Sequence, residues 1–134
     1  MRKIEHIGIA VKNLEESNTL FEKLFGQPPY KEEEVASEGV KTSFFRSGPN
    51  KIELLEATNA ESPIAKFLEK KGEGIHHIAF EVADIFIEIQ RLKKEGFEFI
   101  NELPKQGADN KLVCFVYPKL AHGVLIEICQ TIKS

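Results

Sequence analysis

The stretch EHIGIAV, Glu5 to Val11, returns in outline as HHIAFEV from His76 to Val82. Each copy is a short apolar run led by a histidine, and a histidine heading such a strand is costly unless something binds it. Period-two alternation puts His6, Gly8 and Ala10 on one face and Ile7, Ile9 and Val11 on the other. In the second copy His77 and Ala79 share a face opposite Ile78, Phe80 and Val82.

The likeness extends outward from these strands. Lys3–Val11 reads as a strand rich in β-branched bulk, and Asn13 with Glu16 three residues on forms a helix-opening pattern. Leu14, Leu20, Phe21, Leu24 and Phe25 recur at helical spacing until Gly26 stops the helix. After Pro28-Pro29, the acidic run Glu32–Glu34 reads as a solvated edge. Val40–Arg46 and Lys51–Glu56 are strands joined by the turn Ser47-Gly48-Pro49-Asn50, and Ser62-Pro63 caps a short helix.

The second half runs in the same order. Gly74–Val82 is a strand, Asp84 caps a helix that ends by Gly96, and Phe97–Ile100 is a short extended piece. Asn101–Lys111 is a loop, Leu112–Tyr117 a strand, Pro118–Gly123 a loop and Val124–Gln130 the last strand. A shift of 71 residues lays His6 on His77, Gly8 on Ala79, Val11 on Val82, Asn13 on Asp84 and Phe21 on Leu92. A shift of 74 lays KIELLE on LIEICQ, with Glu53 on Glu127, so loops absorb three residues of drift. Internal duplication therefore sets the expected fold: α+β, in two modules at about 1–60 and 74–134 of one 134-residue domain.

Composition narrows the function classes. Hydrophobic residues make up 42% and charged residues 29%, the mix of a soluble globular chain. A net charge of -3, with both signs interspersed, argues against nucleic acid as the main partner. The N-terminal apolar run is too short for a signal peptide or a membrane span, which points to a cytoplasmic protein without membrane partners. Cys114 and Cys129 lie in apolar runs with no Cys-x-x-Cys spacing, as buried free thiols would.

Each half thus offers one early histidine and one late glutamate on the face with small neighbours: His6 with Glu53, and His77 with Glu127. Alone, a strand histidine is more often a hydrogen-bonded core residue and a strand glutamate a solvated one. Recurrence of both at matching positions favours a metal set of two imidazoles and two carboxylates. Zinc accepts such a set, as do cobalt, nickel, manganese or iron with water completing the shell. His76 points to the opposite face, and His122 sits in a loop.

These residues resemble the vicinal oxygen chelate superfamily, which includes lactoylglutathione lyases (glyoxalases), extradiol dioxygenases and methylmalonyl-CoA epimerases. The resemblance covers nearly the whole chain. It is strongest to the epimerase group, through HIGIAVKNLE, GVKTSFF, NKIELLEA, SPIAKFLEKKGEGIHHIAFEV, VYPK and GVLIEI. The resemblance implies paired βαβββ modules that form a curled, half-open, barrel-like sheet with helices outside. It implies one divalent metal ion (Co, Ni, Zn or Mn) on His6, Glu53, His77 and Glu127, and a homodimer. The implied reaction is epimerisation of methylmalonyl-CoA by proton abstraction at C2 through a metal-stabilised enolate, with Glu127 as a ligand that also moves protons. Some epimerases carry a glutamate base where GVKTS has Thr42, and the loop KLAHG departs from the usual small, Gly-rich version. Thr42, Lys111 and Lys119 are candidate substrate-binding residues, with Arg46 a further candidate for coenzyme A phosphates. Two alternatives stay open: a lactoylglutathione lyase-type isomerase acting on a glutathione thioester, and a non-catalytic small-molecule binder.

Overall fold

The computed structural model describes residues 1–132 of the chain. Two compact units emerge, His6–His76 and a second formed by Met1–Glu5 with the chain from His77 onward.

The first unit follows the order βαβββ. It contains β1 (Lys3–Ala10, from His6), α1 (Leu14–Phe25), β2 (Lys31–Val35), β3 (Val40–Ser47) and β4 (Asn50–Ala57), then the extra helix α2 (Pro63–Lys71). Its strands lie in the order β2-β3-β4-β1. The Asn13 side chain accepts the Glu16 backbone N–H, and Gly26 closes α1 in the left-handed region at φ 74°, which a residue without Cβ enters at no steric cost. The second unit repeats the order with β5 (Gly74–Glu81), α3 (Ile85–Lys94), β6 (Lys105–Gly107), β7 (Lys111–Val116) and β8 (Ile126–Thr131). Its strands lie in the order β5-β8-β7-β6. The first residues of the chain belong here: the Arg2 N–H donates to the Glu81 carbonyl at 2.8 Å.

The repeat reaches individual hydrogen bonds. The Val11 N–H donates to the Leu55 carbonyl and the Val82 N–H to the Cys129 carbonyl, both at 2.9 Å. The first N–H of α1, on Leu14, is taken by the Glu56 carboxylate at 3.0 Å, and that of α3, on Ile85, by the Gln130 amide oxygen at 2.8 Å. These donors have no partner inside their helices, so a strand side chain satisfies each.

Alternation sorts each sheet into two faces. In the first unit Val11, Leu14, Phe45 and Leu54 form a core with Ile9, Phe21, Phe25 and Ile52, which seats α1. Ala10, Leu55 and Ile64 form a separate cluster with Val40, Phe67 and Leu68, which seats α2 on the other face. In the second unit Ile85, Ile89 and Leu92 of α3 pack with Val82, Cys114, Val116 and Ile128, while Ala79, Val113 and Cys129 cluster opposite.

Several sequence expectations shift. The acidic run Glu32–Glu34 lies within β2, an edge of the first unit's strand order, where charged side chains suit an unpaired flank. The expected loop Asn101–Lys111 holds the short strand β6, hidden in the sequence because three polar and glycine residues carry no apolar alternation. Pro118–Ala121 is a 3₁₀ turn, and the last strand starts at Ile126 rather than Val124. Leu20 and Leu24, counted on the apolar stripe of α1, are 63% and 69% exposed, because Phe21 and Phe25 fill the contact with β3. Phe97–Ile100 is reduced to one bridge, Phe99 to Val116. Among the described residues, no helix is long and apolar enough to cross a membrane.

Candidate functional site

In the first unit the parallel register of β1 and β4 sets Gly8 beside Glu53, and the antiparallel register of β3 and β4 sets Phe44 on its other flank. Residues so opposed share a face. His6 alternates onto that face two residues from Gly8, the small neighbour of the carboxylate. His6 Nδ1 lies 3.1 Å from Glu53 Oε2, and both side chains are buried.

The second unit builds the same arrangement. Ala79 stands beside Glu127 on one flank and Phe115 on the other, the counterparts of Gly8 and Phe44. His77 Nε2 lies 3.4 Å from Glu127 Oε1, again with both side chains buried, and the Phe115 ring meets the imidazole edge-on at 6.1 Å between centroids. Phe44 and Phe115 were not singled out in the sequence, although they align at the shift of 71 that aligns the histidines.

Burying one carboxylate costs several kcal/mol unless charge and hydrogen bonds compensate. Each unit places that cost beside an imidazole, whose nitrogens serve as proton donors or metal ligands. Nitrogen and oxygen donors in buried pairs fit a borderline divalent cation better than a soft one, since thiolates are absent from both pairs. Cys114 and Cys129 are buried and free, and burial raises both thiols, Cys114 to about 11.

The remaining sequence candidates fall in different places. Thr42 lies on the Glu53 face of β3, opposite Leu55; it is 1% exposed and its hydroxyl has no hydrogen-bond partner. Lys111 is 7% exposed, with its ammonium donating to Thr131 Oγ1 at 2.7 Å and standing 4.0 Å from the Glu5 carboxylate. Glu5, buried at 2%, was given no role from the sequence, because its position at a strand head resembles a solvated end. Lys119 is exposed in the 3₁₀ turn, 6.0 Å above the Tyr117 ring. Arg46 is exposed and stacks over the Tyr30 ring at 4.1 Å. His76 packs edge-on against Phe67 at 5.0 Å, and burial, aided by Lys71, lowers it to about 4. His122 is exposed, with a left-handed backbone at φ 56°.

Known proteins resemble this chain in sequence and fold. An ethylmalonyl-CoA/methylmalonyl-CoA epimerase of Cereibacter sphaeroides is 38% identical over 130 residues, which cover 96% of this chain and 97% of that one. A mitochondrial methylmalonyl-CoA epimerase of Dictyostelium discoideum is 40% identical over 127 residues, covering 94% of this chain and 76% of that one. A variant of Streptomyces coelicolor methylmalonyl-CoA epimerase, solved in complex with 2-nitronate-propionyl-CoA, superposes with a TM-score of 0.93 at 29% identity and 99% coverage of both chains. The family described as Glyoxalase/Bleomycin resistance protein/Dioxygenase superfamily matches residues 5–115. The chain belongs to this superfamily, the vicinal oxygen chelate superfamily, and its relatives within it include methylmalonyl-CoA epimerases.

Proposed function

We propose that this protein is a metal-dependent epimerase that interconverts the stereoisomers of methylmalonyl-CoA. The observation that carries the reading is the duplicated buried pair: His6 with Glu53, and His77 with Glu127, at equivalent positions of two equivalent units. In this reading the four side chains hold one divalent ion, Co, Ni, Zn or Mn. When bound, such an ion supplies Lewis-acid polarisation of the oxygen next to the reacting carbon. The Glu127 carboxylate accepts the C2 proton of the acyl group, and an acid on the other face returns one. Gly8 and Ala79 are the small cross-strand neighbours of the two carboxylates, and Phe44 and Phe115 flank them with apolar surface that strengthens the local electrostatics.

The relatives' acyl-CoA ligands support an acyl-CoA substrate here. Their epimerase names lend no support to the lactoylglutathione lyase alternative, and the presence of both His–Glu pairs favours catalysis over simple sequestration. The same reading takes the enzyme as a cytoplasmic homodimer, so light scattering should give about twice the 15.2 kDa chain mass.

Deuterium wash-in at C2 of methylmalonyl-CoA tests the assignment. Exchange from D2O into C2, dependent on added divalent metal, is the expected result. No exchange, with turnover of the methylglyoxal–glutathione hemithioacetal, identifies the lyase instead. Inactivity on both leaves a binder.

A further inference from the structure

Two adjacent hydroxyls on β3, Thr42 Oγ1 and Ser43 Oγ, are buried without hydrogen-bond partners. They point to opposite faces of the strand. Ser43 stands opposite Leu54 on the α1 side, in an apolar core. Thr42 stands on the face that carries Glu53 and His6, flanked along its strand by Val40 and Phe44 and across the sheet by Leu55 on β4 and Glu33 on β2. An unpaired buried donor inside a core is a defect, but one on the ligand-bearing face is a donor held ready for a bound group.

We propose that the Thr42 hydroxyl donates a hydrogen bond to a carboxylate oxygen of the bound acyl thioester, and so is a specificity-determining residue. This rests on the epimerase reading and names how that site recognises its substrate. A malonyl-type thioester offers three oxygens near the reacting carbon: one thioester oxygen and two carboxylate oxygens. An ion held by the His–Glu pairs would satisfy only part of this oxygen set, and a desolvated anionic oxygen left over would need a donor. Thr42 suits this task because a hydroxyl donates without carrying charge; Leu55 and Phe44 beside it are apolar, and the carboxylate of Glu33, opposite it on β2, stands 3.1 Å from the Lys31 ammonium while the hydroxyl stays unbonded. An aliphatic hydroxyl stays protonated at neutral pH, so Thr42 is a recognition group and not the base.

The test uses the metal-loaded full-length chain with Thr42→Val, Thr42→Ser and Ser43→Ala. Binding of methylmalonyl-CoA and of propionyl-CoA, which lacks the carboxylate, is titrated by calorimetry. Thr42→Val should weaken methylmalonyl-CoA binding at least tenfold and leave propionyl-CoA binding within about twofold, while Thr42→Ser stays within about threefold of wild type for both. Thr42→Val should also raise the melting temperature by a few degrees, because an apolar isostere removes the unpaired group. Ser43→Ala should leave both affinities unchanged. Equal affinities for Thr42→Val and wild type, or equal losses for the two thioesters, would overturn the proposal. Wash-in by the wild-type protein is read separately: its absence overturns the epimerase reading, whereas the affinity comparison decides Thr42.

Discussion

The two units are built from the same parts but finished differently. Both place a histidine two residues before a small residue, a glutamate beside that small residue, and a phenylalanine on the far flank. Both cap their long helix from a side chain on the last strand. Among the described residues, only the first unit covers part of its histidine-bearing face with a helix of its own, α2, through Ile64, Phe67 and Leu68. In the second unit that face keeps the small cluster Ala79, Val113 and Cys129. Duplication with one-sided elaboration gives each half its own buried His–Glu pair while the halves differ in what they present beside it.

The comparison can be broken most forcefully at the glutamates. Glu127→Gln should reduce wash-in turnover at least a thousandfold and weaken metal retention, whereas Glu53→Gln should weaken metal retention with a smaller loss of turnover at saturating metal. Equal turnover losses at saturating metal would erase the division of labour, and full activity of Glu127→Gln would remove Glu127 from the mechanism.

Core equivalence gives the next effect. Leu54 and Ile128 are each 0% exposed at matching positions of β4 and β8. Truncation of either to Ala should destabilise by about 3 kcal/mol in urea unfolding. A cost below about 1 kcal/mol for either one would show that its unit relaxes around the cavity.

Helix caps sharpen the comparison further. The Asp84 carboxylate accepts two backbone N–H groups, from Phe86 and Ile87, whereas the Asn13 side chain accepts one, from Glu16. Asp84→Ala should therefore cost more than Asn13→Ala, both near 1 kcal/mol, as read from the denaturation midpoint. The smallest effect is expected from Glu56→Gln, which writes the second unit's residue into the first. The amide oxygen still accepts the Leu14 N–H, so a shift within about 0.5 kcal/mol should follow.

Much of this was legible in the residues because it follows from local rules. The caps at Asn13, Ser62 and Asp84 and the stop at Gly26 are written in side-chain chemistry that acts over three or four residues. The pairing of each histidine with its glutamate followed from alternation plus repetition, and each pair lies within contact distance in its unit. What stayed hidden depends on long-range partners. β6 exists because β7 offers it an edge, not because Lys105-Gln106-Gly107 favours extension. Lys111 reads as a surface lysine until Thr131 and Glu5 are brought to it from distant parts of the sequence. The α1 stripe looked broader than it is, since only the β3–β4 surface decides which of its apolar residues find contact.

The central claim is that one imidazole and one carboxylate from each unit serve a single cation. Titration of metal-free protein with Co2+, followed by calorimetry and visible absorption, tests this directly. The expected result is one tight ion per chain, with affinity reduced at least tenfold by either His6→Ala or His77→Ala. Two independent ions per chain, or tight binding untouched by one of these substitutions, would contradict it.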